Sequence, residues 1–146
     1  MSGERRLAVL VLPAPVAALP RAAELERILR APEAVAVEPA RVSPGALARL
    51  PAAVGATLAG MQARRMRLPG APALVAVLGA VGYPLGRALA VRHPAAELWY
   101  VQLGGEGGDL HELAAARAER VYGPADPWPA DLAERVAELG SDPRGG

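Results

Sequence analysis

The sequence predicts an α/β fold: a single Rossmann-like domain of about five mostly parallel strands with helices on both faces. Two observations carry that reading. Short apolar, β-branched runs alternate with helical stretches all the way from Arg6 to Leu139. Between Ala73 and Leu103 the pattern passes cleanly from strand to turn to helix to strand, a complete βαβ unit.

The first strand is Arg6 to Leu12, apolar on both faces and ended by Pro13. A helix follows from Pro20 to Arg30, its stripe formed by Leu25, Ile28 and Leu29. Ala34 to Glu38 is the second strand. Ser43 and Pro44 then give a helix-start signal, a hydroxyl cap followed by proline at the first helical position. Pro51 breaks or restarts that helical region, and Val54, Leu58 and Met61 bury one face up to about Arg67. Leu74 to Leu78, bounded by Pro72 and Gly79, is the third strand, buried on both faces.

Gly79 and Gly82 permit a tight turn, and Tyr83 to Arg92 turns helical with Pro84 in its first turn. His93-Pro94 closes that helix, and Glu97 to Leu103 is the fourth strand. Asp109 is placed to cap a helix from Leu110 to Glu119, with Glu112 completing part of a capping box. Arg120 to Tyr122 forms a last short strand. Ala130 to Leu139 is a terminal amphipathic helix with Leu132, Val136 and Leu139 on one face, and the glycine-bearing end beyond it frays. The domain is therefore set at residues 1–140, with a disordered tail over 141–146.

Composition narrows the chemistry. The chain has 146 residues, enough for one core, and 52% of them are hydrophobic. Arg, Glu or Pro interrupts every apolar run before it reaches the ~18–20 residues of a membrane span, so no integral membrane segment is expected. The start is charged and then cut by Pro13 and Pro15, which argues against a secretory signal and for a cytoplasmic setting. A net charge of +1 gives no case for nucleic acid. With no Cys, thiol and cysteine–metal chemistry is excluded; with no Lys, so are Schiff bases and a P-loop. No carboxylate or histidine arrangement has metal-ligand spacing.

In parallel α/β sheets ligands sit beyond the carboxyl ends of the strands. That places three loops on one rim: Pro13 to Pro15, Gly79 to Tyr83 and Gly104 to Asp109. The candidate ligand-binding residues are Pro13, Gly79, Gly82, Tyr83, Gly104, Gly105, Gly107, Asp109 and His111, with no catalytic residue among them. Gly79 to Gly86 spells G-x-x-G-x-x-x-G, which matches neither dinucleotide fingerprint. A strand-to-helix turn alone explains its glycines, and no cofactor is expected. Glycines 104 to 108, ahead of a helix N-terminus, read either as a phosphate cradle or as a solvated flexible loop. His111 is a candidate base or sugar-hydroxyl ligand. Glu112 and Glu119, seven apart, share a solvated helix face, and Arg64, Arg65 and Arg67 cluster at a helix end. One of Trp99 and Tyr100 anchors the core, and Trp128, between two prolines, is an exposed partner contact.

Four segments go further. Ala48 to Pro51 (ARLP), QARRMRLPG at 62–70, YPLGRALAVRHPAAELWY at 83–100 and LHELAAARAERV at 110–121 resemble the N-terminal domain of bacterial GT-B glycosyltransferases. The likeness runs in order over most of residues 6 to 139. It implies transfer of a sugar from a nucleotide donor, with this Rossmann-like half shaping the side that takes a sugar or lipid acceptor. This chain alone is expected to have no turnover: it is either a subunit whose donor-binding half, with its paired glutamates, comes from a separate domain, or a degenerate remnant. Two alternatives stay open: a non-catalytic assembly or binding module, homo-oligomeric or heteromeric, and a nicotinamide-dependent reductase.

Overall fold

The computed structural model describes residues 5–40 and 52–141. Five strands form one sheet: β1 (Arg6–Val11), β2 (Ala34–Val37), β3 (Ala71–Leu78), β4 (Glu97–Val101) and β5 (Arg120–Tyr122). Their order is β2-β1-β3-β4-β5, and every neighbouring pair is parallel. This is the doubly wound, Rossmann-like α/β architecture, and its chain direction across the sheet reverses between β1 and β3. A crevice for ligands opens at such a switch point.

Among the described residues, five α-helices cover the sheet: α1 (Ala22–Leu29), α2 (Ala52–Arg65), α3 (Tyr83–Arg92), α4 (Asp109–Arg117) and α5 (Trp128–Ser141). Alternate strand residues point to opposite faces, and the two faces have separate cores. Ala8, Leu10, Leu74, Ala76, Leu78 and Trp99 pack under α1 and α5. Leu7, Val9, Val75, Val77 and Tyr100 pack under α2, α3 and α4. Among the described residues no polar or charged residue belongs to the fully buried set, as an Ala/Val/Leu-built sheet requires. Covering both faces is what lets β1 and β3 be apolar at every buried position.

Several local expectations shift. Strand β3 begins at Ala71 and includes Pro72, because the register with β1 slips between Leu7 and Ala8. That bulge accommodates a residue with no N–H to give the ladder. Among the described side chains of α2, Ala59 and Ala63 are buried, Met61 is half-buried and Leu58 is 40% exposed, while Val54 lies outside that described set. Small side chains there let the helix lie close against its neighbour. Helix α4 begins at Asp109 with Gly108 as its N-cap, and no side chain caps it. Glu119 is outside α4 altogether: its carboxylate accepts from the Leu98 N–H at 2.9 Å, and its own N–H bonds the Leu98 carbonyl at 2.8 Å. It ties α4's end to β4 instead of sharing a solvated face with Glu112.

Both Trp99 and Tyr100 are core residues. Trp128 is as well, at 1% exposure, and so is not the surface contact that its flanking prolines suggest. Pro127-Trp128-Pro129 opens α5, and proline is at home in a first helical turn. The Arg21 guanidinium lies 5.7 Å from the Trp128 ring. Helix α5 runs through Gly140 to Ser141, where Gly140 packs against the Glu33 carboxylate; the rest of the tail lies outside the described residues. So do the Ser43-Pro44 helix start and the Pro51 break. Among the described residues, no helix is long and apolar enough to cross a membrane.

Candidate functional site

The loops after β1, β3 and β4 meet at Gly79. This residue ends β3 with φ +79, a conformation that favours glycine. A Cβ placed there would lie 3.5 Å from Leu103, 3.7 Å from the Glu106 carboxylate and 3.7 Å from Pro13. The strand tips on either side of the switch point therefore converge, as the sequence predicts.

Gly82 and Gly86 have a different purpose. A Cβ at Gly82 would sit 2.7 Å from Val11 Cγ1, and one at Gly86 would overlap Val77. Both glycines bring α3 down onto the sheet, so the G-x-x-G-x-x-x-G spacing records one turn and two close helix–sheet contacts. Tyr83, at 6% exposure, is buried in the core between them and does not line the rim.

The β4–α4 loop is held by its own acid. Glu106 Oε2 accepts from the Leu103 N–H and Oε1 from the Gly104 N–H, each at 2.7 Å. Gly104 at φ +118, Gly105 at φ +75 and Gly108 at φ +88 make the tight path that lets the side chain turn back. An internal carboxylate thus occupies two of the loop's backbone donors, those of Leu103 and Gly104. Asp109 and Glu112 add two further negative charges to the first turn of α4. Negative charge so close to the helix N-terminus opposes an incoming phosphate. Gly105 and Gly107 have open space beside them, and Asp109 is exposed.

His111 is half-buried, and its Nδ1 lies 2.8 Å from the Tyr100 hydroxyl. Burial, and then the charge of Glu106, push the Tyr100 phenol up to about 12. Tyr100 is therefore a neutral hydrogen-bonding group at ordinary pH, and it fixes the imidazole ring. Of the residues predicted for the site, Pro13, Gly79, Gly104 and His111 lie around one convergence. Tyr83 and Gly82 lie beneath it, and Gly105, Gly107 and Asp109 stand at its solvent edge.

Two members escape the sequence reading, Tyr100 and Glu106. A signal for each exists: Tyr100 is a polar aromatic at the carboxyl end of a strand, and Glu106 is the one acid inside a glycine run. Around these groups the rim is apolar. Val81 is 65% exposed, Pro15 is exposed, and Ala14 and Val16 are half-buried. The arrangement can hold one hydroxyl or carbonyl through the free ring nitrogen of His111. It does not pair a nucleophile with a base. Among the described residues no group of three or more His, Asp or Glu is placed to hold a metal ion. No family model, curated protein or solved structure matches the chain.

Proposed function

We propose that this domain is a non-catalytic binding or assembly module, and that the rim at the β1/β3 switch point docks a second protein surface. A single observation carries the reading: Glu106 and Tyr100, the polar side chains set into the rim, are bonded within it, while apolar residues of the rim face out. Glu106 is bonded to its own loop and Tyr100 to His111, whereas Val81 and Pro15 are exposed. Exposed apolar surface beside satisfied polar groups suits a protein contact better than a small polar substrate. A cytoplasmic setting is part of this proposal. A second copy of the chain is the partner to test first, since a net charge of +1 opposes self-association little. Light scattering at two concentrations should show a dimer, and Val81→Glu should dissolve it. A wild-type chain that stays monomeric at both concentrations refutes the self-assembly.

A second reading is the acceptor half of a glycosyltransferase. The observation favouring it is that both members of the Tyr100–His111 pair belong to the segments 83–100 and 110–121 that carry the resemblance. In that reading His111 contacts an acceptor hydroxyl, and turnover requires a separate donor-binding half. Titration with uridine and guanosine diphosphate sugars should then show no binding tighter than millimolar. Micromolar binding by this chain alone would overturn the idea that the donor site lies elsewhere.

A further inference from the structure

The net charge of +1 hides a segregation along the chain. No acidic residue stands between Glu38 and Glu97, a stretch with seven arginines, while the rest of the chain sets nine arginines against 15 acids. The division falls between two neighbouring helices on one face of the sheet. Helix α3 has Arg87 and Arg92 and no acid, whereas α4 has Asp109 and Glu112 in its first turn. Because the strands are parallel, both helices run from the carboxyl rim of the sheet to its amino end, side by side.

Apolar exposure gathers on the same two helices. Among the described residues six large apolar side chains are exposed, and four belong to this corner: Val81 in the turn at Ala80–Gly82, Val91 on α3, and Leu110 and Leu113 on α4. Helix α4 packs against that turn and beside α3. The buried side of α3 holds Leu85 and Leu89, which leaves Arg87 and Val91, four apart, on its outside. On α4 Ala114 is buried, which leaves Glu112 and Leu113 outside. Neither Arg87 nor Glu112 has an ion-pair partner among the described residues.

A basic, partly apolar helix beside an acidic, partly apolar one is complementary to its own copy. We propose that the chain forms a two-fold dimer through this face, with α3 of each protomer laid along α4 of the other. A two-fold axis parallel to the helices and midway between them sets α3 on the opposing α4 at unchanged depth. Arg87 and Glu112, each about one turn below the rim, then meet across the axis twice, as an isologous interface requires. Val91 and Leu113 lie within the same contact, and Val81 and Leu110 close its upper end. Arg92 and Arg117, exposed in the last turns, are left at its lower edge in solvent. This pairing rests on the proposed self-assembly and gives it a surface and a symmetry.

Sedimentation of the whole chain tests the pairing. Arg87→Glu and Glu112→Arg should each weaken the dimer by about tenfold or more, since each sets like charges together at two places. An equimolar mixture of the two variants should dimerise as tightly as wild type, because the mixed pair restores both attractions. Raising the salt from about 0.1 to about 0.5 M should loosen the wild-type dimer. A dimer that Val81→Glu dissolves, but that neither charge reversal nor salt weakens, overturns this pairing and leaves self-assembly standing. Two folded variants that fail to rescue each other overturn it as well. A wild-type chain that stays monomeric overturns both.

Discussion

The Glu106 carboxylate accepts from the Gly104 N–H at 2.7 Å, closing a glycine loop on its own acid. With its second bond to Leu103, this side chain gives order to a stretch whose composition alone favours disorder. Glu106→Ala should lower stability by about 1–2 kcal/mol, as expected for losing two charge-assisted bonds at a partly exposed site. Denaturant midpoints measure it. A midpoint equal to wild type would show that the loop holds its path without the acid.

Tyr100 supplies an alkaline test. Its ordinary value is 10, and in the folded chain burial and the Glu106 charge push it up to about 12. The folded state therefore holds this proton more tightly than the unfolded state. The stability it contributes is full below pH about 10 and is lost as the pH rises through about 12. Phenolate absorbance should show a late-titrating group that Tyr100→Phe removes. Glu106→Gln should bring that group down, because it deletes one cause of the shift. A wild-type chain in which all three tyrosines titrate together near 10 contradicts this.

How much of this was legible in the sequence follows from which forces leave a local pattern. Helix α3 and strand β5 lie where the residues predict, because Pro84, His93-Pro94 and the run at 120–122 are local signals. The strand order has no such signature, since a strand buried on both faces looks the same beside any neighbour. Trp128 was opaque for a related reason. Flanking prolines mark a loop or a helix start equally well, and only the packing of α5 against β1 decides. At the rim, the meeting of three loops at Gly79 follows from sheet topology. The pairing of Tyr100 with His111 depends on how α4 sits over β4, and spacing does not encode it.

The glycines separate packing from propensity. At Gly86 a Cβ would overlap Val77, whereas at Gly60, on α2, nothing lies within 4 Å. Gly86→Ala should therefore destabilise by about 1–3 kcal/mol through overpacking of α3 against the sheet. Gly60→Ala should stabilise by about 0.5–1 kcal/mol by raising helix propensity without a clash. Thermal melts of the two variants should move in opposite directions. Equal and small shifts would mean that α3 can ride away from Val77 at little cost.

Arg21 gives the least intuitive ordering. It is the N-cap of α1 at φ +59, the only non-glycine with positive φ among the described residues. A left-handed backbone is costly for a residue with a Cβ. What holds it there is a set of long-range ties: NH1 donates to the Asp126 carbonyl at 2.9 Å, Nε pairs with Glu24 at 3.1 Å, and the guanidinium lies over Trp128. Arg21→Ala deletes those ties and keeps the strain. Arg21→Gly deletes them too, but releases the strain and leaves a better N-cap. Both variants should be less stable than wild type, and the alanine variant should be the worse by about 1 kcal/mol, the reverse of the usual helix preference. Denaturation of the three proteins under one condition tests this. If alanine proves the better replacement, the backbone at residue 21 is not held left-handed, and the bridge from the β1–α1 loop to the start of α5 does not constrain it.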